Sequence, residues 1–227
     1  MERSPVIEEY IKRVYQLEQE HSRRVRTTEI AEAVDRTQAS VTHMIQKLDD
    51  GGFVDYKEYK GATVTEAGEE IALELIRKHR LLETFLTKQL GVAWPDVHEE
   101  ADRLEHHISD RFADRLADLL GNPRKDPHGE PIPDSNLTFS AEASEVELTD
   151  CEVGDVRVVD QVPHHQPEVR EYLFEHDIEP GTTIEIDEIT PVGLVTFTNQ
   201  KTDCSVSIPD RVARQIKIRP PSLMESA

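Results

Sequence analysis

Thr27-Thr28-Glu29-Ile30-Ala31-Glu32-Ala33-Val34-Asp35-Arg36-Thr37-Gln38-Ala39-Ser40-Val41-Thr42-His43-Met44-Ile45-Gln46-Lys47-Leu48-Asp49-Asp50 contains two short helices and the turn between them. Ile30, Ala31 and Val34 share one side of a helix that begins at Thr27 or Thr28, with Glu29 in its first turn. After Asp35-Arg36-Thr37 a second apolar stripe, Val41, Ile45 and Leu48, runs on to Asp50, and Gly51-Gly52 stops it. Two short helices around a tight turn predict a helix-turn-helix.

Upstream, Val6, Ile7, Tyr10, Ile11, Val14 and Leu17 recur at three-and-four spacing and predict a first helix. Downstream, Phe53 to Thr65 reads as two β-rich runs around a turn near Lys60-Gly61, which is a wing. Glu66 to Leu90 is a long amphipathic helix and Trp94 to Leu120 contains another, both long enough to supply a helical dimerisation surface. Pro123, Pro127, Gly129, Pro131 and Pro133 then mark an irregular connector between Asn122 and Asn136. From about Val146 short runs such as Val156-Arg157-Val158-Val159, Thr183-Ile184-Glu185-Ile186 and Leu194-Val195-Thr196-Phe197 alternate with Gly and Pro turns, as in a small β-barrel. The expected fold is mainly α with a small β domain, divided at 1–65, 66–140 and 141–227.

No run approaches the roughly 18 apolar residues of a membrane span. Met1 to Tyr10 carries acidic residues and Pro5 rather than a basic region followed by an apolar stretch, so a cytoplasmic chain is expected. Cys151 and Cys204 form no Cys-x-x-Cys arrangement, which excludes a zinc knuckle and a disulfide framework and leaves two small buried residues. The formal charge is −20, from 26 Lys and Arg against 46 Asp and Glu. Residues 1–65 hold 10 basic and 12 acidic side chains, so the acid excess lies toward the C-terminus and spares the helix-turn-helix. Nine Lys against seventeen Arg on an acidic surface reads as adaptation to high internal salt and points to a halophilic archaeon. At molar salt the screening length is about 3 Å, so the net charge barely repels DNA at a distance.

In His98-Glu99-Glu100-Ala101-Asp102-Arg103-Leu104-Glu105-His106, positions 98, 102, 105 and 106 fall within roughly 100° of one another on a helix. His79 and Glu83, four apart on the preceding helix, also share a face. If the helices are neighbours, nitrogen and oxygen donors converge with no thiolate, which suits Mn²⁺ or Fe²⁺. Each residue alone has a plainer reading: one residue in five is acidic, and isolated carboxylates on helices are usually solvated. Three His at helical spacing beside them make the coincidence harder to dismiss.

These features, with Glu9-Tyr10-Ile11, Tyr15-Gln16-Leu17, Ser40-Val41-Thr42, Gln46-Lys47-Leu48, Thr65-Glu66-Ala67-Gly68, Arg77-Lys78-His79-Arg80 and Asp126-Pro127-His128-Gly129-Glu130-Pro131-Ile132-Pro133, resemble the diphtheria toxin repressor and manganese transport regulator family over nearly the whole chain. The resemblance implies a winged helix-turn-helix, a helical metal-binding and dimerisation domain, and a C-terminal SH3-like β-barrel of the FeoA type. It implies two metal sites per subunit: a primary one of Glu9, Asp102, Glu105 and His106, and an ancillary one of His79, Glu83 and His98. Oxygen donors at positions 9 and 102 tilt the choice toward Mn²⁺. Lys12 stands where compact manganese regulators have a glutamate ligand, so their binuclear site does not carry over intact. In the three-domain branch the barrel adds ligands, for which His164 and Glu168 are candidates, with exposed loop residues as the alternative.

The second helix of a helix-turn-helix enters the major groove. Thr37, Gln38, Ala39, Ser40, Thr42 and His43 hold that place, and Lys47, Lys57 and Lys60 are phosphate candidates. Arg23, Arg24 and Arg26 either add backbone contacts or form a solvated loop. The expected protein is a homodimeric, metal-dependent regulator of a palindromic operator, a repressor of metal uptake or homeostasis genes. It has no membrane partner, no small-molecule substrate and no enzymatic activity. Two other readings stay open: a winged-helix regulator whose metal site is degenerate, and a carboxylate and histidine metalloenzyme, against which the wing and the missing nucleophile argue.

Overall fold

The computed structural model describes residues 3–139, 146–163 and 166–221, which fall into two compact units. The first comprises residues 1–79, 102–116 and 133–138, and the second residues 80–101, 117–132 and 139–227.

The first unit opens with α1 (Pro5–His21), α2 (Thr27–Ala33) and α3 (Gln38–Asp50), followed by the hairpin β1 (Val54–Lys57) and β2 (Gly61–Val64). Pro5 starts α1 at a position that needs no amide donor. The Glu29 carboxylate accepts from the Arg26 amide at the head of α2, and the Thr37 hydroxyl caps α3 by accepting from the Ser40 amide. Ile11, Val14, Val25, Ile30, Val41, Ile45, Leu48 and Ala62 are fully buried where the three helices meet the wing. Each Val, Leu or Ile there contributes roughly 1.5–3 kcal/mol. The wing turn lies over Lys57–Lys60, with Tyr59 left-handed at its tip (φ 63°), and Gly61 begins the return strand. At Gly61 (φ 96°) a Cβ would stand 2.3 Å from the Val25 carbonyl, so only glycine lets the wing reach the Val25–Ala62 bridge.

The long helix α4 (Glu66–Leu90) gives its first half to this unit. The stretch expected to contain one further helix holds two, α5 (Val97–Glu105) and α6 (Asp110–Leu119). Ser109 makes the break, because its hydroxyl accepts from the Phe112 amide and caps a new helix start.

The second unit is built on five antiparallel strands, β3 (Val156–Gln161), β4 (Thr183–Ile189), β5 (Leu194–Asn199), β6 (Cys204–Pro209) and β7 (Lys217–Arg219), in the order β6-β5-β4-β3-β7. Phe197, Leu173, Ile184, Val206 and Ile218 lie in its core. The expected barrel is an open sheet among the described residues. The free edge of β7 is taken by the backbone of Val146 and Leu148, through Leu148 N to Ile216 O and Ile218 N to Val146 O, and the chain leaves β6 directly into α8 (Asp210–Ala213). A helix absent from the expectation, α7 (Pro167–Glu175), lies between β3 and β4. No described helix is long and apolar enough to cross a membrane.

Candidate metal centres and DNA-reading face

Within the first unit, α1, α4, α5 and the turn after α5 bring five possible donor side chains together. The Glu105 carboxylate is fully buried. His79 Nδ1 lies 2.6 Å from its Oε2 and 3.2 Å from Asp102 Oδ1, and His106 Nε2 lies 3.5 Å from its Oε1 and 3.9 Å from Glu9 Oε2. Glu9, Glu105 and His106 can each turn one donor atom toward a common point, as can His79, Asp102 and Glu105. Glu105 belongs to both sets.

Two further residues shape this cluster: Glu8, which sequence reasoning did not single out, and Lys12, which it noted only as standing where compact manganese regulators have a glutamate ligand. The Glu8 carboxylate accepts from His106 Nδ1 at 2.8 Å, which leaves the Nε2 lone pair facing Glu9 and Glu105. A carboxylate behind a histidine fixes the ring tautomer, and Glu8 does so from the turn that carries Glu9. The second is Lys12, whose Nζ donates to Glu105 Oε1 at 2.7 Å and Oε2 at 2.9 Å and approaches Asp102 Oδ1 at 3.4 Å. Burial pushes the Glu105 carboxyl up, but His79 and Lys12 pull it further down, so its pKa lies below the usual carboxylate range. The net direction keeps Glu105 ionised, as a ligand must be.

Within the second unit, Glu83 from α4 and His98 from α5 meet, with His98 Nδ1 3.0 Å from Glu83 Oε1. His79 stands one turn earlier on α4, its Nδ1 committed to Glu105. The connector supplies partners that sequence spacing missed: His128 Nδ1 lies 3.5 Å from Glu83 Oε2, and Glu83, Asp126 and His128 form a third possible set, all buried. His128 Nε2 lies 3.2 Å from the Trp94 carbonyl, so a proton held there leaves the Nδ1 lone pair toward Glu83. Asp126 Oδ1 accepts from the amides of His128 and Glu130, while its buried Oδ2 has no hydrogen-bond partner among the described residues and lies 3.7 Å from Arg80 Nε. Burial first, then Glu83 and Glu130, push the Asp126 carboxyl up to about 7 against His128 and Arg80. A buried orphan oxygen beside an imidazole and a second carboxylate fits a divalent cation. Glu168 is exposed on the first turn of α7 and joins none of these sets, and His164 lies outside the described residues.

The DNA-reading candidates share one surface. Thr37, Gln38, Ala39, Ser40, His43 and Lys47 are exposed along the start and outer side of α3, and Lys57 and Lys60 are exposed on the wing. Thr42 is half-buried and its hydroxyl donates to the Gln38 carbonyl at 2.8 Å, which leaves its oxygen free only to accept. Arg23 is engaged by Glu29 and Arg24 by Asp55, so both hold the helix-turn-helix together, while Arg26 is exposed.

Residues 3–62 match the N-terminal DNA-binding domain of iron-dependent repressors, residues 65–134 their metal-binding and dimerisation domain, and residues 146–220 the FeoA domain. The chain is 30% identical over 222 residues to the iron-dependent repressor IdeR of Mycobacterium tuberculosis, covering 93% of this chain and 95% of that protein. It is 36% identical over 124 residues to the transcriptional regulator MntR of Lysinibacillus sphaericus, covering 53% and 88%. Among solved structures, a manganese-dependent transcriptional repressor in complex with manganese superposes with a TM-score of 0.82 at 28% identity, covering 95% of this chain and all of that one. The manganese regulator SloR superposes with a TM-score of 0.78, also at 28% identity.

Proposed function

The chain belongs to the family of iron-dependent repressors, and from that premise we propose that it binds operator DNA as a homodimer when Mn²⁺ or Fe²⁺ fills its metal centres, and so represses genes of metal uptake or homeostasis. The observation that carries the proposal is the meeting of Glu9, Asp102, Glu105, His106 and His79 around one buried carboxylate. Glu9 lies on α1, which packs with the helix-turn-helix, whereas His79 lies on α4, Asp102 and Glu105 on α5, and His106 directly after α5. A bound ion supplies the positive charge that holds carboxylates from separate helices together. His106, oriented by Glu8, and Glu105, whose pKa His79 and Lys12 lower, give that charge a prepared seat.

The second centre draws on Glu83, His98, Asp126 and His128, with His79 preceding Glu83 on the same helix face. Thr37, Gln38, Ala39, Ser40, Thr42 and His43 face base edges, and Lys47, Lys57 and Lys60 face phosphates. Two recognition helices about 34 Å apart then match successive turns of a palindromic operator. The metal raises DNA affinity by no more than its own preference for the DNA-competent state. The regulator acts in the cytoplasm, where the operator is.

A metal titration of the purified, chelator-stripped chain, read by operator binding, tests this. Mn²⁺ or Fe²⁺ should raise affinity at least tenfold, and Glu105→Gln should abolish the response. Operator binding that ignores metal would favour the degenerate-site reading, which the Lys12–Glu105 pair gives some ground for, and would defeat the proposal.

A further inference from the structure

A lysine buried in a basin of carboxylates and imidazoles is a cation of fixed position. Lys12 leaves 2% of its surface exposed, and its ammonium lies within 2.9 Å of both Glu105 oxygens, 3.4 Å from Asp102 and 4.0 Å from Glu9. Held 2.7 Å and 2.9 Å from the two oxygens of a fully buried carboxylate, the ammonium is a fixed ion-pair partner.

The donors around it make two overlapping triads that share Glu105: Glu9 with His106 on one side, Asp102 with His79 on the other. Such a basin has the groups for two divalent ions bridged by one carboxylate. Its charge has room for one. Glu8, Glu9, Asp102 and Glu105 bring four formal negative charges, and Lys12 and Arg13, whose Nε lies 2.8 Å from Glu9 Oε1, bring two positive ones. The balance, 2 − 4 = −2, is neutralised by a single divalent ion. Neighbouring Arg77 and Lys78 are engaged by Asp114 and Asp110 and leave that sum unchanged. A second ion would leave +2 around a carboxylate that no water reaches, a costly excess at low dielectric. Lys12 touches both carboxylates of the His79 side within 3.4 Å and lies farther from Glu9, so the vacancy in charge falls on the Glu9–His106 side.

We propose that Lys12 permanently takes the place of a second divalent ion, so that the first unit holds one metal, against Glu9, Glu105 and His106, where the same donors without the lysine would hold two. This rests on reading the cluster as a metal centre, and the test separates the two ideas. The full chain, Lys12→Gln, Lys12→Arg and Glu105→Gln are dialysed against MnCl₂, the manganese bound per chain is measured by elemental analysis, and the electron paramagnetic resonance spectrum is recorded.

Lys12→Gln should bind one more Mn²⁺ per chain than the unaltered protein and show the spectrum of an exchange-coupled pair, while Lys12→Arg should match the unaltered protein. An unchanged count in Lys12→Gln, with Glu105→Gln falling below the unaltered protein, overturns the role of Lys12 and leaves the metal centre standing. An unchanged count in Glu105→Gln overturns the metal centre and this proposal with it. Should Lys12→Gln fail to fold, the saturated unaltered chain decides: isolated-ion signals support the substitution of lysine for metal, and a coupled pair refutes it.

Discussion

Asp126→Asn should stabilise the metal-free chain at pH 8 and, in the same step, remove the stability that Mn²⁺ confers through the Glu83–Asp126–His128 centre. The asparagine keeps the shape of the side chain and an oxygen for the His128 and Glu130 amides, both 2.9 Å away. It removes a carboxyl whose pKa stands at about 7 in the folded chain against an ordinary 3.8. The direction is opposite to that of a salt-bridged acid. Between pH 4 and 7 the folded chain holds a proton that the unfolded chain has lost, so stability falls as pH rises through that window and the penalty is complete above about pH 7. At roughly 1.4 kcal/mol per pH unit the penalty is on the order of 4 kcal/mol, an upper value because water entering the site relieves part of it. For a chain of this size that corresponds to roughly 10 °C in melting temperature. Thermal melts in chelator from pH 5 to pH 8 give the difference between variant and parent at each pH, which cancels the other titrating groups. The difference should grow with pH in favour of asparagine. Excess Mn²⁺ at pH 8 should narrow it, because an ion at a hundred times its dissociation constant returns about 2.7 kcal/mol to the parent alone. A difference that is flat with pH, or an asparagine variant that gains as much from Mn²⁺ as its parent, would refute the assignment of Asp126 to a metal centre.

The loop that presents Asp126 and His128 depends on Gly129, at φ 90° with an added Cβ only 2.0 Å from the Asp160 carbonyl. Gly129→Ala should therefore cost more than about 2 kcal/mol by chemical denaturation, and a transition unmoved from the parent's would show that the loop has slack. Lys47→Ala and Lys60→Ala should each weaken operator binding evenly across sequences and reduce the slope of log affinity against log salt by about 1, and a loss confined to one base position would mean that the lysine reads a base instead.

What the sequence discloses follows the range of the interaction that decides each feature. The stripes Val41, Ile45, Leu48 and Ile7, Ile11, Val14 are set by neighbours three and four residues away, and those helices stand where the periodicity puts them. Asp102 and Glu105 are legible for the same reason, since one helix carries them, whereas His106, expected on the same face, stands in the turn just past the end of α5. The break at Ser109 was available as a Ser-Asp start but hidden by apolar spacing that continues through it. The missing barrel closure depends on Val146 and Leu148 reaching β7, some 70 residues away, and no local pattern carries that. The same limit explains the site. Glu8 and Glu9 are adjacent in sequence, and only the fold reveals that the first bonds His106 Nδ1 while the second lies toward His106 Nε2 with Glu105. Lys12 is the sharper case. The resemblance marks its position as a departure from a ligand, but local spacing one turn after Glu9 reads as a surface partner, and its meaning comes from Glu105, 93 residues away, whose buried carboxylate needs a cation beside it. A metal site is a set of charges to be balanced as well as a set of donors to be counted, and spacing along a helix reports the donors alone.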